Sequence, residues 1–219
     1  MKRCLWIMLI LGFVILGAEP AAAHQVRLVD GHDTTVKRPD ISQAFYAVLD
    51  GSPHTYSIHT QEELLVYVGL LVPDLPAIEK GFSVEVFSDG PGEGSPLLRL
   101  DGESSTWSPF FEPFAGDRYW KGPEAETTVS PGSYTVRVSG VNNRGKYVLA
   151  IGKEEAFSLS DIVHTVRVLP ALKRDFFDKS PLTAYINLVG LFMFLVLSGF
   201  VGLGFGLLYG VRWIQRSQG

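Results

Sequence analysis

The chain has 219 residues, 46% hydrophobic and 19% charged, with a formal net charge of −4. That length suits one ordinary domain plus its targeting segments. Between His24 and Ser180, 22 acidic residues stand against 15 basic ones, which argues against a nucleic-acid partner; the single Cys4 argues against a disulfide framework.

The first 23 residues read as a signal peptide. Lys2 and Arg3 form its positive start, Leu5 to Ala18 is an apolar run, and Ala21-Ala22-Ala23 offers a small-residue cleavage site before His24. The run has 14 residues, short of the ~20 that a span requires. Cys4 would leave with this segment.

Residues 24–156 read as an outer all-β domain, a jelly-roll-like β-sandwich. Phe45 to Leu49 precedes the turn Asp50-Gly51-Ser52-Pro53, and Tyr56-Ser57-Ile58 alternates. Leu64 to Val72 is nearly continuous apolar sequence, Phe82 to Phe87 alternates, and Leu97, Leu98 and Leu100 mark a short strand. Tyr134 to Val138 and Tyr147 to Ile151 are expected to pair across Asn143-Arg144-Gly145. Short strands between Gly, Pro, Asn and Asp turns favour a sandwich.

Residues 105–121 break this rhythm. Trp107, Phe110, Phe111, Phe114, Tyr119 and Trp120 crowd together with Pro109, Pro113 and Gly116. Proline is excluded from central strands, so a long loop is expected. Trp107, Phe110, Phe111 and Trp120 are then candidates for a ligand or partner surface. The alternative is that the loop folds over one end of the sandwich and buries them.

Residues 157–180 read as an amphipathic helix and a juxtamembrane linker. Leu159, Ile162, Val163, Val166 and Leu169 fall on one helical side, with Ser158 or Ser160 as cap and Pro170 as the end. The expectation is packing on the sandwich in preference to lying on a membrane. Lys173, Arg174, Phe176 and Phe177 follow, and the cations suit lipid phosphates.

Residues 181–213 read as a transmembrane helix and 214–219 as a cytoplasmic tail. No charged residue occurs between Lys179 and Arg212. Leu182 to Val211 spans 30 residues, ~45 Å as a helix, against a hydrocarbon core of ~30 Å. Tyr185, Tyr209 and Trp213 suit interfacial belts. The signal peptide sets the sandwich outside, in a bacterial periplasm or at a cell surface. The four cations Arg167, Lys173, Arg174 and Lys179 before the helix, against Arg212 and Arg216 after it, run counter to the positive-inside rule. Gly202, Gly206 and Gly210 repeat every fourth residue and Ser198 extends the row, a small-residue groove that lets a second backbone approach in lipid.

Val129-Ser-Pro-Gly-Ser-Tyr-Thr-Val-Arg-Val138 and Gly145-Lys-Tyr-Val-Leu-Ala-Ile151, with Tyr56-Ser57-Ile58 and Leu64 to Val68 as opening strands, resemble bacterial pre-peptidase C-terminal domains over about residues 52–151. That resemblance implies a small secreted β-sandwich accessory to a neighbouring activity.

No nucleophile-elbow, zinc-protease, redox-cysteine or phosphate-loop motif occurs, and the chain is expected not to be an enzyme. A mature amino terminus at His24 would offer an amine and an imidazole to copper, as in some periplasmic copper-binding sandwich proteins. His32 and Asp33 are then the nearest further ligands. His54 and His59, an odd number apart, should point to opposite faces of one strand. The leading expectation is a single-pass, membrane-anchored accessory or binding subunit that associates through its helix with a second copy or a membrane protein. The alternative is a periplasmic copper or small-ligand binding protein.

Overall fold

A computed structural model describes residues 24–90, 94–156 and 158–217. The expected signal peptide, Cys4 included, lies outside the described residues.

Among the described residues, eleven strands form two sheets. They are β1 (Gln25–Leu28), β2 (Asp33–Thr35), β3 (Gln43–Asp50), β4 (His54–Thr60), β5 (Leu64–Pro73), β6 (Phe82–Ser88), β7 (Leu98–Asp101), β8 (Ser108–Glu112), β9 (Asp117–Val129), β10 (Gly132–Gly140) and β11 (Arg144–Ile151). One sheet has the order β1-β3-β11-β5-β9-β8 and the other β2-β4-β10-β6-β7. The period-2 alternation seen in β4, β6 and β10 puts every second side chain between the sheets: Tyr56 and Ile58, Val84 and Val86, and Val136 and Val138 are all buried there. The fold is a β-sandwich.

Neighbours in sequence mostly lie in opposite sheets. The expected pairing of Tyr134–Val138 with Tyr147–Ile151 does not occur: β10 pairs with β4 and β6, while β11 pairs with β3 and β5. A 3₁₀ turn at Val141–Asn143, with Asn142 and Asn143 at positive φ, carries the chain from one sheet to the other. Both strands place apolar side chains inward, which alternation alone cannot distinguish from a hairpin.

The expected loop at 105–121 is largely sheet. β8 and β9 form an antiparallel hairpin pairing Ser108 with Lys121 through Glu112 with Asp117. Pro109 is accommodated because β8 is the edge of its sheet.

A second apolar cluster lies on the outer face of the six-stranded sheet and includes Val26, Ala44, Tyr119 and Val148. It is covered by the segment following the sandwich. Helix α1 (Leu159–Ala171) starts at Ser158, whose side chain accepts from Asp161 N while Asp161 reaches back to the Ser158 amide, a capping box. Pro170 does not end it. Proline leaves the carbonyl four residues earlier without its usual partner, and the Tyr185 hydroxyl donates to Val166 O at 3.3 Å. The chain continues through a π-turn, Leu172–Phe176. Leu169, Leu172, Phe176, Phe177 and Ala184 are buried against the sheet, each large side chain worth ~1.5–3 kcal/mol. Only the later part of α1 is packed in this way. Ile162 and Val163 are 43% and 47% exposed, contrary to the expected packed face.

The segment expected to be a linker is thus structural. Lys173, Phe176 and Phe177 are buried, and Arg174 stays outside, paired with Asp175. A 3₁₀ turn at Pro181–Tyr185 then leads to α2 (Leu188–Ser217). The long helix begins later than residue 181 because Asn187 caps it: its Oδ1 accepts from Gly190 N at 3.0 Å. A side chain at Gly190 would overlap the Tyr185 carbonyl. Within α2, Leu188–Gly206 has a mean hydropathy of 2.3, and none of its side chains that are described is buried. It is a helix long and apolar enough to cross a membrane.

Candidate functional site

Two charged clusters flank the π-turn. The first is closed. Asp117 opens β9 and is fully buried; Lys173 in the π-turn is 1% exposed. Lys173 Nζ lies 2.6 Å from Asp117 Oδ2 and donates also to Ala115 O at 2.6 Å, and Lys179 Nζ reaches Asp117 Oδ1 at 2.9 Å. Asn187 Nδ2 donates to the same Ala115 carbonyl at 2.9 Å. The β8–β9 turn therefore grips both the π-turn and the entry to α2. Beside it, Glu112 accepts from the Phe114 and Ala115 amides. Burial raises its pKa, and neighbouring Asp117 adds to the rise against the pull of those amides and of Lys173. Tyr46 and Tyr119 share a hydrogen bond at 2.8 Å, and burial raises both phenols.

The second cluster is open. His32 lies just before β2, Asp50 ends β3 and His54 starts β4. The parallel pairing of β2 with β4 and the bond from Thr55 N to His32 O at 2.7 Å set the two histidines side by side. Their rings stack with centroids 5.3 Å apart. His32 Nε2 lies 2.8 Å from Asp50 Oδ1, and one ligand atom from each of the three residues lies within 4.8 Å of the others. His54 is 3% exposed. Its Nδ1 is bonded to the Tyr147 hydroxyl at 2.9 Å, which meets the Tyr56 hydroxyl at 2.7 Å, leaving Nε2 as the unengaged ring nitrogen. Burial first, and His32 second, lower the His54 pKa; the His32 hydrogen bond lowers that of Asp50. The cluster borders a cleft of about 390 Å³ between the sandwich and the stem, the segment from α1 through the π-turn to the start of α2, with Asp30 and Tyr46 on one side and Leu172, Asp175 and Phe176 on the other.

The residues singled out in the sequence are dispersed. His24 contacts Ser42 Oγ at one end of β3, whereas His32 contacts Asp50 at the other. Eight residues of strand separate these ends, ~26 Å. His24, His32 and Asp33 therefore do not converge on one ion, and Asp33 is engaged by Thr55 Oγ1. His54 and His59 do face opposite ways, one buried and one exposed.

The four aromatics do not form one surface. Trp107 and Trp120 pack against the main core. Trp107 Nε1 donates to Gly102 O at 2.8 Å, and its ring lies so close to Gly122 that a Cβ there would stand 2.6 Å away. Trp120 Nε1 donates to Asp74 at 2.9 Å, with Lys80 Nζ 3.5 Å over its ring. Phe110 and Phe111 are exposed. On α2, Ser198, Gly202 and Gly206 are exposed, and a Cβ at either glycine meets no atom within 4 Å. Gly210 falls within the same helix.

The sequence reading missed Asp117 and Asp50, and weighed His54 only together with His59. No local signal marks Asp117, whose partner Lys173 is 56 positions away. His32 directly precedes β2 and His54 opens β4, the one feature that hints at neighbouring places on a sheet edge.

No family model matches the chain, and no curated protein matches it in sequence. Several solved structures share the outline of the sandwich. The periplasmic inhibitor of g-type lysozyme PliG from Aeromonas hydrophila is 14% identical, covers 58% of this chain and 97% of its own, and gives a TM-score of 0.37. The pre-peptidase C-terminal domain of a Bacillus anthracis collagenase is 11% identical, covers 58% and 95%, and gives 0.32. A Bacillus endospore appendage protein is 12% identical, covers 52% and 86%, and gives 0.28. The resemblance to pre-peptidase C-terminal domains is present and weak.

Proposed function

We propose that this protein is a single-span, membrane-anchored binding or accessory subunit, not an enzyme. Its sandwich stands outside the cytoplasm, and its apolar helix meets a second membrane helix along Ser198, Gly202, Gly206 and Gly210. The observation that carries this reading is the grip of the β8–β9 turn on the stem. A flexible linker would merely tether the sandwich. Asp117 bonded to both Lys173 and Lys179, above a buried aromatic cluster, instead fixes its orientation to the helix, as a subunit meeting one partner with both parts requires.

The surface at the helix entry supports it. Leu182 and Ile186 are 76% and 79% exposed, and Ile162 and Val163 lie exposed on the adjoining α1. Such apolar surface, leading into a spanning helix, is covered at no cost by lipid and expensively by water.

The reading is tested by chemical cross-linking of the full chain in its native membranes. One discrete adduct, with a second copy or another membrane protein, is expected, and Gly206→Ile should remove it without blocking insertion. No adduct, or one that survives Gly206→Ile, overturns the reading.

A further inference from the structure

We propose that His32, Asp50 and His54 bind a divalent transition-metal ion of the zinc class at the mouth of the cleft between sandwich and stem. This goes beyond the anchoring role and uses none of its residues.

Three observations converge. The first is the donor set. Two imidazoles and one carboxylate are the nitrogen and oxygen ligands that zinc takes in three-ligand sites, where a fourth position stays open. The second is the geometry. In a tetrahedral site with bonds of ~2.0–2.1 Å the donors stand roughly 3.4 Å apart. His32 Nε2 and Asp50 Oδ1 are already 2.8 Å apart, and the whole set lies within 4.8 Å. Closing it takes a movement of about an ångström by the two exposed side chains, while the β2–β4 ladder holds the backbone beside His32 and His54 and the β3–β11 ladder holds that of Asp50.

The third observation is how His54 is held. A ligating histidine characteristically offers one nitrogen to the metal and anchors the other by a hydrogen bond that orients the ring. His54 Nδ1 is bonded to Tyr147, and Tyr147 to Tyr56, both phenols inside the main core. This leaves Nε2 for the ion. In the tautomer whose Nδ1–H donates to the Tyr147 oxygen, Nε2 carries the lone pair that a metal needs.

Binding breaks the His32–Asp50 hydrogen bond: a neutral His32 then carries its one ring proton on Nδ1, and a protonated His32 loses one proton to solvent. The open coordination position then faces the cleft, whose far wall is the stem at Leu172, Asp175 and Phe176. An ion there, or a small anion or water completing its shell, sits where the sandwich meets the membrane-bound part.

The test is calorimetric titration of the purified full chain in detergent with Zn²⁺, with Co²⁺ absorption as a reporter of coordination. One ion per chain with a Kd below about 10 μM is expected. His32→Gln and Asp50→Asn should each weaken it at least tenfold. Both side chains are exposed, so these variants keep the fold even if His54→Gln does not. Tyr147→Phe should weaken binding by a smaller factor. A Kd above about 10 μM, an affinity unchanged in both His32→Gln and Asp50→Asn, or a loss that follows His24→Gln instead, overturns the proposal. Cross-linking through α2 is read separately, so either proposal can fail alone.

Discussion

Asp117 and Asp50 stand on the two sides of one π-turn and meet opposite fates. Asp117 is sealed, and each of its oxygens is taken by a lysine ammonium. Asp50 is exposed, bonded to one histidine and close to a second, beside a cleft. Taking a carboxylate and an ammonium out of water costs several kcal/mol per ion, returned only when geometry and further hydrogen bonds are good. The Asp117 group meets that condition and has nothing left to bind. The Asp50 group keeps ligand atoms unspent. A saturated charge cluster holds parts together, and an unsaturated one beside a cavity is available to a ligand.

The sharpest way to break this contrast is to remove one partner from each. Asp117→Ala leaves Lys173 buried without its carboxylate and should cost about 3–5 kcal/mol, read as a lowered midpoint in chemical denaturation. Asp117→Leu combined with Lys173→Met should recover most of that loss, because no buried charge remains. Lys179→Met, at the half-exposed end, should cost at most about 1 kcal/mol. Asp50→Asn should leave the denaturation midpoint unchanged. An Asp117→Ala variant as stable as the parent would mean that the cluster is not closed.

The aromatics offer the same division on a smaller scale. Trp107→Ala removes a ring packed on Gly122 and Gly102 and should cost about 3 kcal/mol. Phe111→Ala, 56% exposed, should stay within about 0.5 kcal/mol. Equal losses would place Phe111 inside a core and contradict its exposure.

How much of this was legible in the sequence depends on the range of the interactions. β3, β4, β5, β6, β7, β10 and β11 announce themselves by apolar alternation or apolar runs, because inward and outward positions are a local property of a strand. β1 and β2 are short and gain their order from parallel pairing with β3 and β4, partners no local pattern names. β9 carries Gly122, Pro123 and alternating charges, and is a strand because β5 runs beside it. Lys173 reads as a lipid-facing cation until Asp117 is brought to it. The small-residue row on α2 is visible as a period of four. The His32–His54 pair needed the topology.

The smallest effect concerns a third charged site. His24 is half-buried, and burial lowers its pKa below the usual histidine value. The unfolded chain then takes up the proton first. Stability is full above about pH 6.5 and falls as pH drops through that value towards the folded-state pKa. His24→Gln should flatten this acid decline in melting temperature; an unchanged decline would assign it to other groups.

The central claim is that the sandwich and the apolar helix form one body. It is tested most directly by a pulsed electron–electron distance between spin labels at Ser57, exposed on the five-stranded sheet, and Leu197 on α2. The labels are carried in a Cys4→Ser background in lipid nanodiscs, with labelled chains diluted among unlabelled ones. A single narrow distance that broadens in Asp117→Ala is the predicted result. A distribution already broad in the parent chain would mean that the stem is a flexible tether, and would contradict the account.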